Sequence, residues 1–338
     1  MTVPEPPFDH LLRLSDDTGV LEHARGAVPR RQHGYCTDDV ARALVVICRE
    51  PSPAAALTAL GERCLAFLGH AQTSDGASHN RLSYDRRWSD EAGLGDWWGR
   101  SLWGAGTAAA RGRSARFRAD ALAHFEVGAA TRSPAPRAMA FAALGAAEVL
   151  TVRSDHGAAR DLLKSAADAL SGTRPDEAWP WPEPRLAYAN ARWAEALMAA
   201  GWALEDDGLV DDGLRLLGWL LDLETSGDRL SLTPVGGWGP GEPRPGFDQQ
   251  PIEAAALADA CARAFLLTGE DRFVAGVSRA VAWFKGDNDT QVPMYDPQTG
   301  GGYDGLERDG RNDNQGAEST IALISTLQQG IRLIGGQL

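Results

Sequence analysis

No apolar run in this sequence approaches the roughly 18 residues a membrane span requires. Positive charge is also scarce: 33 Lys and Arg stand against 46 Asp and Glu, giving a formal net charge of −13. That balance argues against nucleic acids and anionic membranes as partners, because both reward clustered cations, and leaves neutral or cationic ligands open. The four cysteines, Cys36, Cys48, Cys64 and Cys261, show neither the paired spacing of a zinc site nor a disulfide framework. They are expected to be reduced. The first residues, Met-Thr-Val-Pro-Glu-Pro-Pro, lack the basic segment and apolar core of a signal peptide, so a cytoplasmic protein is expected. Gly-rich phosphate loops and Ser-His-Asp elbows are missing too, and the seven histidines are scattered. No cofactor and no metal ligand set is expected.

What is present is helical periodicity. Ala-rich segments recur near 37–49, 54–71, 97–111, 115–130, 135–150, 156–171, 187–204, 207–223, 251–268, 271–285 and 315–334, and residues 8–24 have room for an irregular twelfth helix. Neighbours alternate in character. Segments 37–49, 97–111, 135–150, 187–204, 251–268 and 315–334 are rich in Ala and Gly, as helices buried on every side should be, and those between carry more charge. Six buried and six outer helices make an all-α (α/α)6 toroid, read here as a single domain over 1–338. The uneven repeat spacing disfavours an open solenoid. Long loops at 72–96, 173–186, 225–250 and 286–314 precede buried helices and should open on one face as a single pocket.

Acidic residues cluster at these helix starts. Thr37 is a good N-cap residue, and Asp38 and Asp39 fall in the first turn of the helix it opens, where they suit either the helix dipole or a site. Because they are adjacent, only one should face the axis, and Asp38 is preferred. Asp248-Gln-Gln-Pro-Ile-Glu253 and Asp313-Asn-Gln-Gly-Ala-Glu318 begin two later buried helices alike, and Asn190-Ala-Arg-Trp-Ala-Glu195 keeps the same separation. Capping by Gln250 or Gln315 explains part of this pattern. Asp96, flanked by Trp97, Trp98 and Arg100, completes the candidate catalytic set of Asp38, Asp39, Asp96, Asp248 and Asp313. Candidate substrate-binding residues are His33 and Tyr35 beside the first start, and Asn80, Arg81, Tyr84 and Asp85 in the long polar loop. From the later starts and loops come Trp97, Trp98, Arg100, Arg192, Glu195, Trp238, Gln249, Glu253, Tyr303, Asn314, Gln315 and Glu318. The 11 tryptophans offer flat faces of the kind on which sugar rings dock.

Opposed carboxylates in an aromatic pocket suit glycosidic bond cleavage: one acid protonates the leaving oxygen while the other activates water or attacks C1. The sequence is also similar to a known family. Gly34-Tyr-Cys-Thr-Asp-Asp-Val-Ala-Arg-Ala-Leu44, Asn80-Arg-Leu-Ser-Tyr-Asp-Arg-Arg-Trp88, Gly99-Arg-Ser-Leu-Trp103 and Asp313-Asn-Gln-Gly-Ala-Glu-Ser-Thr320 resemble the helical, glycosidase-like domain found alone or fused to bacterial group-1 glycosyltransferases. The resemblance implies the (α/α)6 toroid, a role in carbohydrate metabolism with an oligosaccharide or glycoside substrate, and a glycosyltransferase as a candidate partner. Relatives tend to carry His where this chain has Trp98, which speaks against proton transfer at that position. The competing readings are a sugar epimerase, which would want histidines on buried helices, a terpene-cyclase-like barrel, suggested by Thr37-Asp-Asp-Val-Ala, and a non-catalytic oligosaccharide-binding domain.

Overall fold

Small residues set how closely the helices approach. A methyl group added to Gly99 would strike the carbonyl of Ala138, one on Gly106 the carbonyl of Gly145, and one on Gly145 the carbonyl of Leu102. The two helices carrying these glycines therefore pack almost backbone to backbone.

The computed structural model describes residues 2–171 and 179–335. Its helices in chain order are α1 (Asp9–Arg13), α2 (Thr37–Arg49), α3 (Ala55–Ala71), α4 (Asp96–Arg111), α5 (Ala115–Gly128), α6 (Pro136–Val152), α7 (Gly157–Leu170), α8 (Ala191–Leu204), α9 (Asp207–Leu223), α10 (Pro251–Thr268), α11 (Asp271–Phe284) and α12 (Ala317–Ile334). The even-numbered helices form a ring in which α2 touches α4, α4 touches α6, and so on to α12, which returns to α2. Odd-numbered helices pack outside them, and α1 fills the sixth outer place by touching both α12 and α3. This is an (α/α)6 toroid. Inner helices such as α6 and α10 are buried on nearly every face, whereas α3 and α9 bury only a stripe. The alternation of composition along the chain has this cause.

Most expected helices lie within a few residues of the observed ones. The irregular twelfth does not extend over 8–24: it stops at Arg13, and Asp16 Oδ1 then accepts the backbone N–H groups of Thr18 (2.8 Å) and Gly19 (3.3 Å), a local turn that competes with helix. The start of α8 falls at Ala191 rather than 187, because Ala189 adopts a left-handed conformation (φ 47°) and Asn190 Oδ1 accepts the N–H of Ala187 at 3.0 Å. Each of the four long loops runs from an outer helix to the N-terminus of the next inner helix, so they share one face. Residues 173–178 of one of them lie outside the described residues. Among the described residues, no helix is long and apolar enough to cross a membrane.

Candidate active site

The start of α2 is held by the long loop ahead of α4. Strand Tyr35–Cys36 pairs antiparallel with Arg81–Leu82, the N–H of Thr37 donates to the Asn80 carbonyl (2.9 Å), and Thr37 Oγ1 donates to the carbonyl of His79 (2.7 Å). Thr37 is thus the first helical residue and ties the loop down; Cys36 occupies the cap position expected for it. Asn80 Nδ2 donates to Asp38 Oδ2 (3.3 Å), which orients the carboxylate toward α4. There Arg100 Nη1 donates to Asp38 Oδ1 at 2.7 Å, and Arg100 Nη2 lies 3.9 Å from Asp96 Oδ2. The hydroxyl of Tyr188 donates to the same Asp96 oxygen at 2.7 Å, with Arg137 stacked on its ring. Burial alone would raise the Asp38 carboxyl. The charges of Arg100 and Arg42, with hydrogen bonds from Arg100 and Asn80, outweigh it and hold Asp38 below its usual range.

Asp39 points the other way, between α2 and α12. Arg42 joins it (Nη2 to Oδ1, 2.6 Å) to Glu318 (Nη1 to Oε2, 2.7 Å), which is the more exposed acid of the two. Burial pushes Asp39 up to about 7; Arg42 opposes the shift, and the like charges of Glu318, Glu22 and Asp38 add to it. Two neighbouring carboxyls are therefore driven apart, Asp38 ionised and Asp39 titrating near neutrality. Glu22, Cys36 and Asp39 bring ligand atoms within 4.8 Å of one another, but burial also lifts the Cys36 thiol well above its usual range. A thiol that keeps its proton and a carboxyl that titrates near neutrality, beside the Arg42 guanidinium, make a poor cation site.

Below this layer a crevice of about 30 Å³ follows the axis, lined by Arg42, Trp103, Arg192, Ile252 and Glu318. Its floor is a ladder of ion pairs. Arg192 binds Glu195 and Asp259, each at 2.6 Å, Arg49 binds Asp259 at 2.9 Å, and both guanidinium groups lie over Trp103, at 4.6 Å and 5.6 Å from its centroid. The expectation of one pocket at the inner-helix N-termini needs correction. A cavity of about 770 Å³ opens at the opposite end of the ring, on the far side of this floor.

Several candidate residues are not free to meet a ligand. Trp98 and Tyr35 are buried in the core, and the Tyr35 hydroxyl donates to Asp16 (2.6 Å). Gln249 is buried with its amide bound to Leu232, Trp283, Gly246 and Asp289, and Gln315 is buried against Thr299 and Asp296. Glu253 is a strut: its carboxylate accepts the backbone N–H groups of Ala189 and Asn190 and so fixes the entry to α8, while burial lifts it to about 8. The helix-cap reading is the better one there, although the cap spans two helices. Asn314 accepts from the N–H of Gly26. Trp97 and Trp238 are half-buried with both indole N–H groups donating to backbone carbonyls, and Arg311 covers the ring of Tyr303 at 3.7 Å. At the rim, Arg81 pairs with Glu22, Tyr84 is exposed and stacks on Tyr35, Asp85 pairs with Arg87, and His33 packs edge-on against His23. Asp248 and Asp313 are exposed; Asp313 is held by Arg311 (3.1 Å), and neither touches the Arg100 or Arg42 clusters among the described residues.

The sequence reading missed Arg42, Tyr188 and Trp103. Arg42 was legible, because it sits one helical turn beyond Asp38 and so must share its face. Tyr188 has no such signal.

No family model matches the chain, and no curated protein matches it. Solved structures do. A sugar epimerase from a ruminal bacterium is 12% identical with a TM-score of 0.72, covering 98% of this chain and 95% of its own. The cellobiose 2-epimerase of Spirochaeta thermophila is 12% identical (TM-score 0.68, 97% and 94% covered), and a GH76 alpha-mannanase of Bacteroides thetaiotaomicron is 8% identical (0.62, 88% and 86%). At such identities the likeness is one of fold: this is the toroid on which those enzymes are built.

Proposed function

We propose that the chain is a carbohydrate-active enzyme, a glycoside hydrolase working at the N-terminal end of the inner ring with Asp38 and Asp96 as its catalytic pair. The observation that carries this reading is that two carboxylates from different inner helices meet on one guanidinium, Arg100, beside a tyrosine hydroxyl. Asp38, kept ionised, takes a proton from the attacking water as its oxygen bonds to C1. Asp96 delivers a proton to the leaving oxygen as the C1–O bond breaks, with Tyr188 fixing its orientation. Glu318 and Arg42 bind sugar hydroxyls from the α12 side, and the exposed Asp248 and Asp313 contact more distant parts of the glycan. The structural neighbours include both epimerases and a mannanase. Against the epimerase reading, all six inner helices lack histidine, the side chain best suited to exchanging a proton on carbon near neutral pH.

The test is a panel of manno-, gluco- and galacto-oligosaccharides incubated with wild type, Asp38→Asn and Asp96→Asn. The expected result is cleavage that falls at least about a hundredfold in each variant, within the range general acid–base groups supply. Cleavage unchanged in both would remove the assignment. Binding without product in the wild type would instead leave an oligosaccharide-binding domain.

A further inference from the structure

The cavity of about 770 Å³ at the C-terminal ends of the inner helices plays no part in the function proposed above. Its size is that of a small-molecule site. Five arginines stand among its lining residues. Arg49 is paired with Asp259 (2.9 Å), Arg111 with Glu148 (2.9 and 3.0 Å) and Arg263 with Glu195 (3.5 Å), while Arg332 has no ion-pair partner among the described residues. Glu195 and Asp259 are also shared with Arg192 in the floor, so neither is left over for Arg332. Of the remaining acids of the lining, Glu5 and Glu205 stand exposed, where water screens them, and Glu50 is half-buried.

Complementing helix dipoles explains why Arg49, Arg111 and Arg332 occupy last turns. It does not explain why they converge. A last-turn arginine can satisfy the dipole while reaching into water, yet Arg332 is half-buried, and after its own burial the charges of Arg111, Arg49 and Arg263 most disfavour its protonated form. The Nε of Arg263 is buried without an acceptor. Beside these donors, Gln328 and Gln329 each leave a buried side-chain oxygen without a donor. Buried polar groups are normally satisfied, yet Arg332 and the Arg263 Nε stand without an acceptor, and the two glutamine oxygens without a donor, among the described residues. The indole of Trp202 lies exposed at the rim, available as a stacking face.

We infer that this cavity is a binding site for a phosphorylated sugar or polyol, its phosphoryl oxygens on Arg332 and Arg263 and its hydroxyls donating to Gln328 and Gln329. A guanidinium fork matches phosphoryl oxygens in geometry and charge. Neither the Asp38 cluster nor its chemistry enters the argument.

Calorimetric titration of the whole protein with glucose 6-phosphate, glucose and inorganic phosphate tests it. Saturable one-to-one binding is expected for glucose 6-phosphate, at least tenfold tighter than for glucose, with inorganic phosphate between them. Arg332→Gln should weaken glucose 6-phosphate at least tenfold. It should fold, because it removes a charge that has no ion-pair partner among the described residues and lies among like charges, and the ligand should raise the melting temperature of wild type more than that of the variant. Equal affinity for glucose and glucose 6-phosphate, affinity unchanged in Arg332→Gln, or no binding at millimolar concentration would each overturn the inference. None of these readouts depends on glycosidase activity, so failure here and failure of the hydrolase are separable.

Discussion

Asp38 and Asp39 are consecutive residues with opposite electrostatic fates, and the difference lies in what each one faces. Asp38 meets Arg100 across the gap to α4; Asp39 meets Arg42 of its own helix in a tighter, more acidic enclosure. The pH dependence of stability follows. With Asp39 lifted to about 7 in the folded state, the folded chain holds a proton that the unfolded chain has released above about pH 4. This group's favourable contribution is complete below about pH 4 and is lost as pH rises through 7. Asp39→Asn should therefore gain on wild type between pH 4 and 8, by up to about 4 kcal/mol at roughly 1.4 kcal/mol per unit. Urea unfolding of both proteins at pH 5 and pH 8 measures the change; an identical difference at the two pH values would contradict it. At this scale the sequence was legible in part. It exposed Asp38 and Asp96 through their first-turn positions, but it could not distinguish Trp98 from Trp97, or Gln315 from Glu318, since burial at a helix start depends on the loop folded over it.

Elements were far more legible than sites. A helix enclosed on all sides must be made of small apolar residues, and that constraint is written continuously along α6 and α10, whereas a turn such as Asp16–Gly19 is written in four residues. The contact of α4 with α6 depends on the same small residues. Gly145→Ala would force its new methyl onto the Leu102 carbonyl, and a destabilisation of about 1–3 kcal/mol is expected. Because backbone rather than a flexible side chain stands in the way, a chemical-denaturation midpoint unchanged from wild type would show that the two helices are not so tightly opposed. A second element-scale prediction concerns Glu253, which holds two N–H groups at the start of α8. Glu253→Ala leaves both without their acceptor and should cost about 2–4 kcal/mol. Hydrogen exchange should quicken first around Ala189–Trp193; uniform exchange along the chain would argue against a local strut.

At the scale of the molecule, the ring depends on charges placed where a toroid of this size leaves space between its inner helices. Arg49 of α2, Arg192 of α8 and Asp259 of α10 join three helices that are not all neighbours in the ring. No periodicity in the sequence announces them, since single charges inside Ala-rich helices look alike whether they face the axis or water. Asp259 is held far below its usual range because its arginines outweigh its burial. Asp259→Asn would leave Arg49 and Arg192 short of a buried counter-charge and should destabilise by about 3–5 kcal/mol, the cost of breaking a buried pair from one side. Thermal and urea unfolding check this, and a loss below about 1 kcal/mol would mean that the ladder is wetter than its burial suggests.

The Arg192, Glu195 and Asp259 partition also closes the axis, so that the crevice of about 30 Å³ on the N-terminal side does not run through to the cavity at the other end. A glycan meeting the N-terminal face can present a tip to the crevice but cannot be threaded through the ring, and its fragments must leave by the side on which it came. The proposed hydrolase should accordingly nibble termini, releasing units of one or two sugars from an end-labelled chain and sparing a substrate whose ends have been blocked.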